Sequence, residues 1–264
     1  MQRIARIDAP GALHHIIARG IEQRKIFIDD LDRNHFLDRL GKILTETDTS
    51  CFAWALIPNH FHLLLRTGSC PISTVMRRLL TGHAISFNRR HGRCGHLFQN
   101  RYKSILCQEN TYLLELVKYL HLNPIRAGQV MDIVGLDTYP FCGHSVIMGK
   151  RERTWQDDTY VLNLFHKKRS TARRRYKTFV QKGIKEGKRR EFTGGGLVRS
   201  NGGWTVIKSL RRANMHLKSD ERVLGDSDFV MRVLKAANES LEKKYLLSCT
   251  MAAGDDADIY FFIT

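Results

Sequence analysis

His60 and His62 flank one bulky apolar residue at the head of Pro58-Asn59-His60-Phe61-His62-Leu63-Leu64-Leu65. On a β-strand the side chains alternate faces, so both imidazoles point one way while Phe61, Leu63 and Leu65 point the other. Two imidazoles side by side are close enough to share one metal ion. Chance alternation on a half-exposed strand gives the same pattern, so His-x-His needs company before it carries chemistry.

Such company stands about sixty residues further on. Asn110 can cap a helix whose apolar stripe is Leu113, Leu114, Val117 and Leu120. At about 100° per residue, Tyr119 falls opposite that stripe, beside Tyr112 and Glu115, which predicts a phenol presented on the polar face. Asn123 would stack above Tyr119 if the helix persists. Pro124 disfavours helical geometry at Asn123, which leaves two readings of that residue: an amide ligand or the N-cap of a second short helix. Tyr112 shares the helical face but lacks the following Asn-Pro, and Tyr102 sits in a β-type run where aromatics pack. His121, two residues from Tyr119, points away from it and reads as structural. The remaining histidines, His14 and His15 among them, form no second compact ligand pattern.

The elements that position these residues alternate. Leu13–Ala18 reads as a strand ending at Gly20, and Leu31–Thr47 as a helix with Phe36, Leu37, Leu40, Ile43 and Leu44 on one face. Phe52, Trp54 and Leu56 alternate with Ala53, Ala55 and Ile57 in a strand leading to the histidine strand. A long amphipathic helix spans Ile72–Arg90, and Tyr102–Gln108 forms another strand. The order βαββαβ predicts an α+β, ferredoxin-like antiparallel sheet with two helices on one face. The other face would carry His60 and His62, opposite the Tyr119 helix.

Forty-three Lys and Arg against twenty-six Asp and Glu give a net charge of +17, which favours a polyanionic partner, nucleic acid first. No segment is apolar and long enough to span a bilayer, so no membrane role is expected. The N-terminus shows no secretory pattern, and cytoplasmic, nucleoid-associated placement is expected. Six scattered cysteines without a Cys-x-x-Cys pair indicate free thiols. Between Lys167 and Arg190 twelve basic residues stand against Glu186 alone. A charge run is usually a solvated face, but with a polyanionic partner it reads as a phosphate-contacting helix. Three regions are expected: residues 1–148 as the catalytic domain, 149–193 as a basic helical linker, and 194–264 as a small helical accessory unit. That last unit would place helices at Trp204–Arg211 and Phe229–Tyr245, helix-turn-helix-like in arrangement only, since no recognition helix stands out.

Three stretches in this order resemble the REP-associated tyrosine transposases, single-tyrosine members of the HUH endonuclease superfamily. They are Leu56–Leu64, His91–Ser104 (His-Gly-Arg-Cys-Gly-His-Leu-Phe-Gln-Asn-Arg-Tyr-Lys-Ser) and Val117–Gly128 (Val-Lys-Tyr-Leu-His-Leu-Asn-Pro-Ile-Arg-Ala-Gly). The resemblance implies a metal-dependent endonuclease and strand transferase acting on single-stranded or hairpin DNA, with palindromic repeats as the target class. Tyr119 would be the nucleophile and would form a 5′-phosphotyrosine intermediate. His60, His62 and Asn123 would hold Mg²⁺ or Mn²⁺. Arg93, Arg101, Lys103 and Arg126, with Arg173, Arg174 and Arg175 of the basic run, are the expected DNA contacts, in a monomer or homodimer. The competing expectation is a non-catalytic, structure-specific DNA-binding protein derived from such an enzyme. A replication initiator or relaxase is a further rival, weakened by the lack of a nucleotide-binding motif.

Overall fold

The computed structural model describes residues 11–186, 221–224, 229, 232, 233 and 235. Its first elements are β1 (Leu13–Arg19), α1 (Asp30–Glu46), β2 (Ser50–Ile57), β3 (His60–Arg66), α2 (Ile72–Arg90) and β4 (Lys103–Cys107), the expected βαββαβ series. These strands lie in the order β2-β3-β1-β4 with every neighbouring pair antiparallel, the ferredoxin-like arrangement. Beyond them run α3 (Glu109–His121), α4 (Asn123–Arg126), α5 (Ile133–Thr138), α6 (His144–Ile147), α7 (Asp158–Asn163) and α8 (Arg169–Gly183).

Side-chain alternation divides the core into two layers. Ile16, Phe61, Leu63 and Leu65 face α1 and α2, meeting Phe36, Leu37, Leu40, Val75, Met76 and Leu79. Ile17, Ala53, Ala55, Leu64 and Ile105 face α3, meeting Leu113, Leu116, Val117 and Leu120. One expectation about β2 fails. Phe52 was read as sharing a face with Trp54 and Leu56, yet it packs in the α3 layer while they pack in the other. The register slips between Cys51 and Ala53, and a bulge of that kind turns one side chain across the sheet.

α1 is started by Asp29, whose carboxylate accepts from Asp32 N–H. Arg90, at the end of α2, pairs with Asp29 and Asp32 and so ties the end of one helix to the start of the other. Asp32 also accepts from Ile28 N–H, which fixes the chain entering α1.

Both sheet edges are occupied. Along β2, Leu56 N–H donates to Phe141 O, Gly143 N–H to Trp54 O, and Asp157 N–H to Cys51 O. Beyond β4 lies β5 (Glu221–Leu224), paired parallel to it. This strand is an addition to the mostly helical unit expected after residue 194: Leu224 is buried against the α3 layer, and pairing satisfies the outer amides of β4. Residues 229, 232, 233 and 235 are helical, within the expected Phe229–Tyr245 helix. The Trp204–Arg211 helix, the glycine clusters and the C-terminal stretch lie outside the described residues.

The basic run begins on α8, which packs against α3. Ala172, Tyr176 and Val180 enter the α3 layer. The Tyr176 hydroxyl lies 2.7 Å from His121 Nδ1 and 2.8 Å from His144 Nδ1, and His144 Nε2 lies 2.9 Å from Asp137. Gly183 allows the close approach: a Cβ there would sit 2.7 Å from the Lys118 side chain and 2.9 Å from Leu122. His121 is therefore structural, as expected, and anchors the basic helix to the tyrosine helix.

His83 offers a test of the α1–α2 layer. It is buried among Phe27, Phe36 and Phe87 with Nε2 on the Ile26 carbonyl, and burial pushes its pKa down to about 4. The unfolded chain takes up this proton near pH 6.5 while the folded protein does not. The contribution is thus complete above that pH and is lost as pH falls toward about 4, at up to about 1.4 kcal/mol per pH unit. Urea denaturation at pH 7, 6 and 5 should show a shallower pH dependence for His83→Gln, which keeps an N–H for Ile26; equal slopes would refute the assignment.

Candidate functional site

β1 and β3 build the floor of the site. Ile17 lies opposite His62 and Arg19 opposite His60, so His15, Ile17 and Arg19 share the face of His60, His62 and Leu64. Pairing of β1 with β4 places Lys103 opposite Ile17, on this same face. The hairpin between β2 and β3 is held from outside, since Pro58 O accepts from Ile26 and Phe27 N–H and Asn59 O from Gly20 N–H. His60 therefore emerges from a braced turn.

α3 forms the roof. Tyr119 does not lie on an exposed polar face: it is 5% exposed, and Tyr112, on the same side, is also buried. The helix is buried on almost every side because the sheet packs against one face and α8 against another. An amphipathic reading that turns only the stripe of Leu113, Leu114, Val117 and Leu120 inward puts Tyr119 outside, whereas its ring also meets the sheet. Its ring centroid lies 6.1 Å from His62 and 6.2 Å from His15, edge-on to both. The Arg126 guanidinium sits 5.0 Å from the Tyr119 ring centroid and donates to the Tyr119 carbonyl at 3.2 Å.

Leu122, which ends α3, also holds the cap position of α4, so Asn123 is the first residue inside that helix and not its cap. The cap reading therefore fails. Its amide Nδ2 is buried without a hydrogen-bond partner, and the two ends of an amide exchange by a half-turn, so an oxygen can occupy that position.

The histidine tautomers are constrained. Asn59 Nδ2 donates to Gln23 O at 3.2 Å, which makes Asn59 Oδ1 the acceptor facing His60 Nδ1 at 2.7 Å. His60 must then carry its proton on Nδ1 and leave Nε2 bare, the arrangement of an imidazole that ligates a metal. His62 Nδ1 is engaged by His15 Nε2 at 2.9 Å. Burial keeps these rings neutral: it lowers the pKa of His60 to about 4, with Arg19 adding to the effect, and that of His15 to about 3. His62 is depressed well below the usual histidine range, by burial first and then by the neighbouring His15, His60, Arg19 and Arg126. Neutral imidazole is the form a metal binds. Among the described residues no three His, Cys, Asp or Glu side chains converge as a metal cluster. Two imidazoles and an amide would suit a divalent cation with open positions.

Of the expected DNA contacts, Arg126 and Lys103 join this face, and exposed Arg101 precedes Lys103 on the segment bridged to Arg19 and Gly20. Arg93 leans over Phe87, in the layer of α1 and α2 behind the sheet. On α8, Arg173 donates to Ile147 O and Arg175 to Phe165 O, while Arg174 is exposed. His15 and Arg19 were missed. The alternation His15-Ile17-Arg19 puts them on one face of β1 but does not say which strand that face meets, and ending the strand at Ala18 left Arg19 outside it.

Comparison with known proteins adds a family. Residues 10–123 match the model of the family described as "Transposase IS200 like". The chain resembles these transposases over the segment that carries β1 to α3. A structure of the REP-associated tyrosine transposase bound to a REP hairpin is 14% identical, covering 60% of this chain and 96% of that one, with a TM-score of 0.43. A protein of Deinococcus radiodurans R1 assigned as a transposase is 19% identical, covering 44% and 93%, with a TM-score of 0.32. No curated protein matches the sequence. Among the described residues no helix is long and apolar enough to cross a membrane.

Because Asn123 caps nothing, Asn123→Ala should leave the stability of the metal-free protein within about 0.5 kcal/mol, below the loss of about 1 kcal/mol typical of a deleted cap. Thermal and urea denaturation in EDTA measure this, and a greater loss would make Asn123 a structural residue.

Proposed function

We propose that the protein is an IS200-like transposase that cleaves and joins single-stranded DNA with Tyr119 as nucleophile. The observation that carries this reading is the edge-on approach of the Tyr119 ring to His62, with His60 beside it on the same sheet face. The match to the IS200-like transposase model supports it. Hairpin-forming DNA is the substrate class that the basic composition and the sequence resemblance favour.

His60, His62 and Asn123 would hold Mg²⁺ or Mn²⁺. When bound, the cation would polarise the scissile phosphate and offset its growing negative charge. The Tyr119 oxygen bonds to phosphorus, the bond to the 3′ oxygen breaks, and the phenolic proton passes in net to that oxygen. The 5′-phosphotyrosine conserves the bond energy for strand joining. Arg126, already against the Tyr119 ring, supplies positive charge beside the reacting group, and Arg19 lies next to His60 across the strand pair. Arg19 is exposed, and Lys103 continues the positive edge toward the approaching backbone.

Incubation with single-stranded hairpin DNA and Mn²⁺ should yield a covalent protein–DNA adduct. Tyr119→Phe should abolish the adduct while retaining DNA affinity, and EDTA should prevent it in the wild-type protein. An adduct formed normally by Tyr119→Phe would remove Tyr119 from the mechanism, and one formed in excess EDTA would remove the cation.

The exposed charges of α8 and the turn after it provide a separate test. Arg173 and Arg175 hold backbone carbonyls, so Arg174, Lys182 and Lys185 are the free-facing positions for phosphate contact. Replacing these three with Gln should flatten the slope of log affinity against log salt by about 2–3 units. Adduct formation at saturating DNA and low salt should persist. An unchanged slope would assign the DNA path to Arg19, Arg101 and Lys103.

A further inference from the structure

His15 is buried on the site face and engages the ring of a proposed metal ligand, and the reaction described above gives it no role. The two rings meet edge to edge, with centroids 5.2 Å apart, planes 25° apart and His15 Nε2 2.9 Å from His62 Nδ1, the geometry of an in-plane hydrogen bond. His15 also stands edge-on to Tyr119. We propose that His15 is a positioning residue: it accepts the His62 Nδ1–H and so fixes the His62 tautomer and ring orientation that leave Nε2 bare for the cation. This rests on the metal reading given above.

One proton lies between the two facing nitrogens. Were His15 Nε2 the donor, His62 would carry its own proton on Nε2 and could not ligate through it. With His62 Nδ1 as donor, Nε2 is bare, and the remaining proton of His15 lies on Nδ1. That Nδ1 is buried without a hydrogen-bond partner, so either arrangement leaves one polar atom of His15 unsatisfied. Folding alone gives no use for such an atom, since an apolar ring of similar shape would fill the space without the desolvation cost. The cost is accounted for if His15 is there to hold His62.

His60 supplies the parallel. Its Nδ1 is held by Asn59 Oδ1, whose orientation is set by the Asn59 bond to Gln23 O. Both imidazoles of the His-x-His pair are thus gripped at Nδ1 by a neighbour, one by an amide and the other by an imidazole. Both present Nε2 as the nitrogen left over. A ligand held in this way by an outer partner typically loses 10–100-fold in metal affinity when the partner is removed.

The test uses the full chain with ¹⁵N-labelled histidine. In the metal-free wild-type protein, long-range ¹H–¹⁵N spectra should show His62 protonated at Nδ1 and bare at Nε2. His15→Phe keeps the ring but removes the acceptor, and should give a mixed or reversed His62 tautomer. It should also weaken Mn²⁺ binding, read by electron paramagnetic resonance, by about 10–100-fold. His15→Gln, which restores an acceptor, should recover most of that affinity. A wild-type His62 protonated at Nε2 would overturn the proposal, as would unchanged Mn²⁺ affinity in His15→Phe. If His15→Phe does not fold, the wild-type spectrum and His15→Gln still decide. Failure of the wild-type protein to bind Mn²⁺ at all would overturn the metal reading itself, a result distinct from unchanged affinity in the variant.

Discussion

The antiparallel register of β1 against β3 sets Ile17 opposite His62 and Arg19 opposite His60, and the candidate site depends on that alignment. A slip of one residue would turn His15 and Arg19 into the α1–α2 layer and bring Ile16 and Ala18 to the histidine face. The register is held by apolar burial on both sides, because Ile16, Phe61, Leu63 and Leu65 need one layer while Ile17 and Leu64 need the other. The braced hairpin at Pro58 and Asn59 fixes where β3 begins. Core packing and site geometry are therefore a single constraint, and a mutation that loosened the register would disturb both.

The second support is the roof. α3 is clamped between the sheet and α8, and the Tyr176 hydroxyl joins His121 of α3 to His144 of α6 in a buried polar chain that runs on to Asp137 and the partly exposed Lys177. Each member shares its hydrogen bonds with another, so removing one leaves the others unsatisfied in a low-dielectric interior. The basic helix is in this sense part of the frame that orients Tyr119. Its outward charges and its inward tyrosine serve different ends from the same fifteen residues.

The sheet and its flanking helices were legible because periodicity is local: alternation marks β3, and the 3.6-residue repeat marks α1 and α2 within a residue or so of their limits. What was not legible came from contacts distant in sequence. Phe52 changes layers through a bulge, which has no signature in Ser50-Cys51-Phe52-Ala53. Tyr119 is buried because its side of α3, polar in isolation, meets His15 and His62 of the sheet and lies under Arg126 of α4. β5 pairs with β4 across more than a hundred residues, beyond the reach of any pattern read in a window. At the site, the His-x-His pair and Tyr119 could be named from the sequence. His15 could not, since its meeting with His62 exists only once two strands pair.

The occupied edges of the sheet bear on how copies of this chain can meet. β2 is bordered by the segment from Phe141 to Asp157, and β4 by β5. An uncovered strand offers a row of amides and carbonyls onto which another chain can zip, the common route to edge-to-edge aggregation. Here β2 and β4 already pair backbone groups with their own chain, so a second molecule finds no ready template along either of those strands. With a net charge of +17, copies of this chain also repel one another, so covered strands and like charge work in the same direction against edge-to-edge association along β2 and β4.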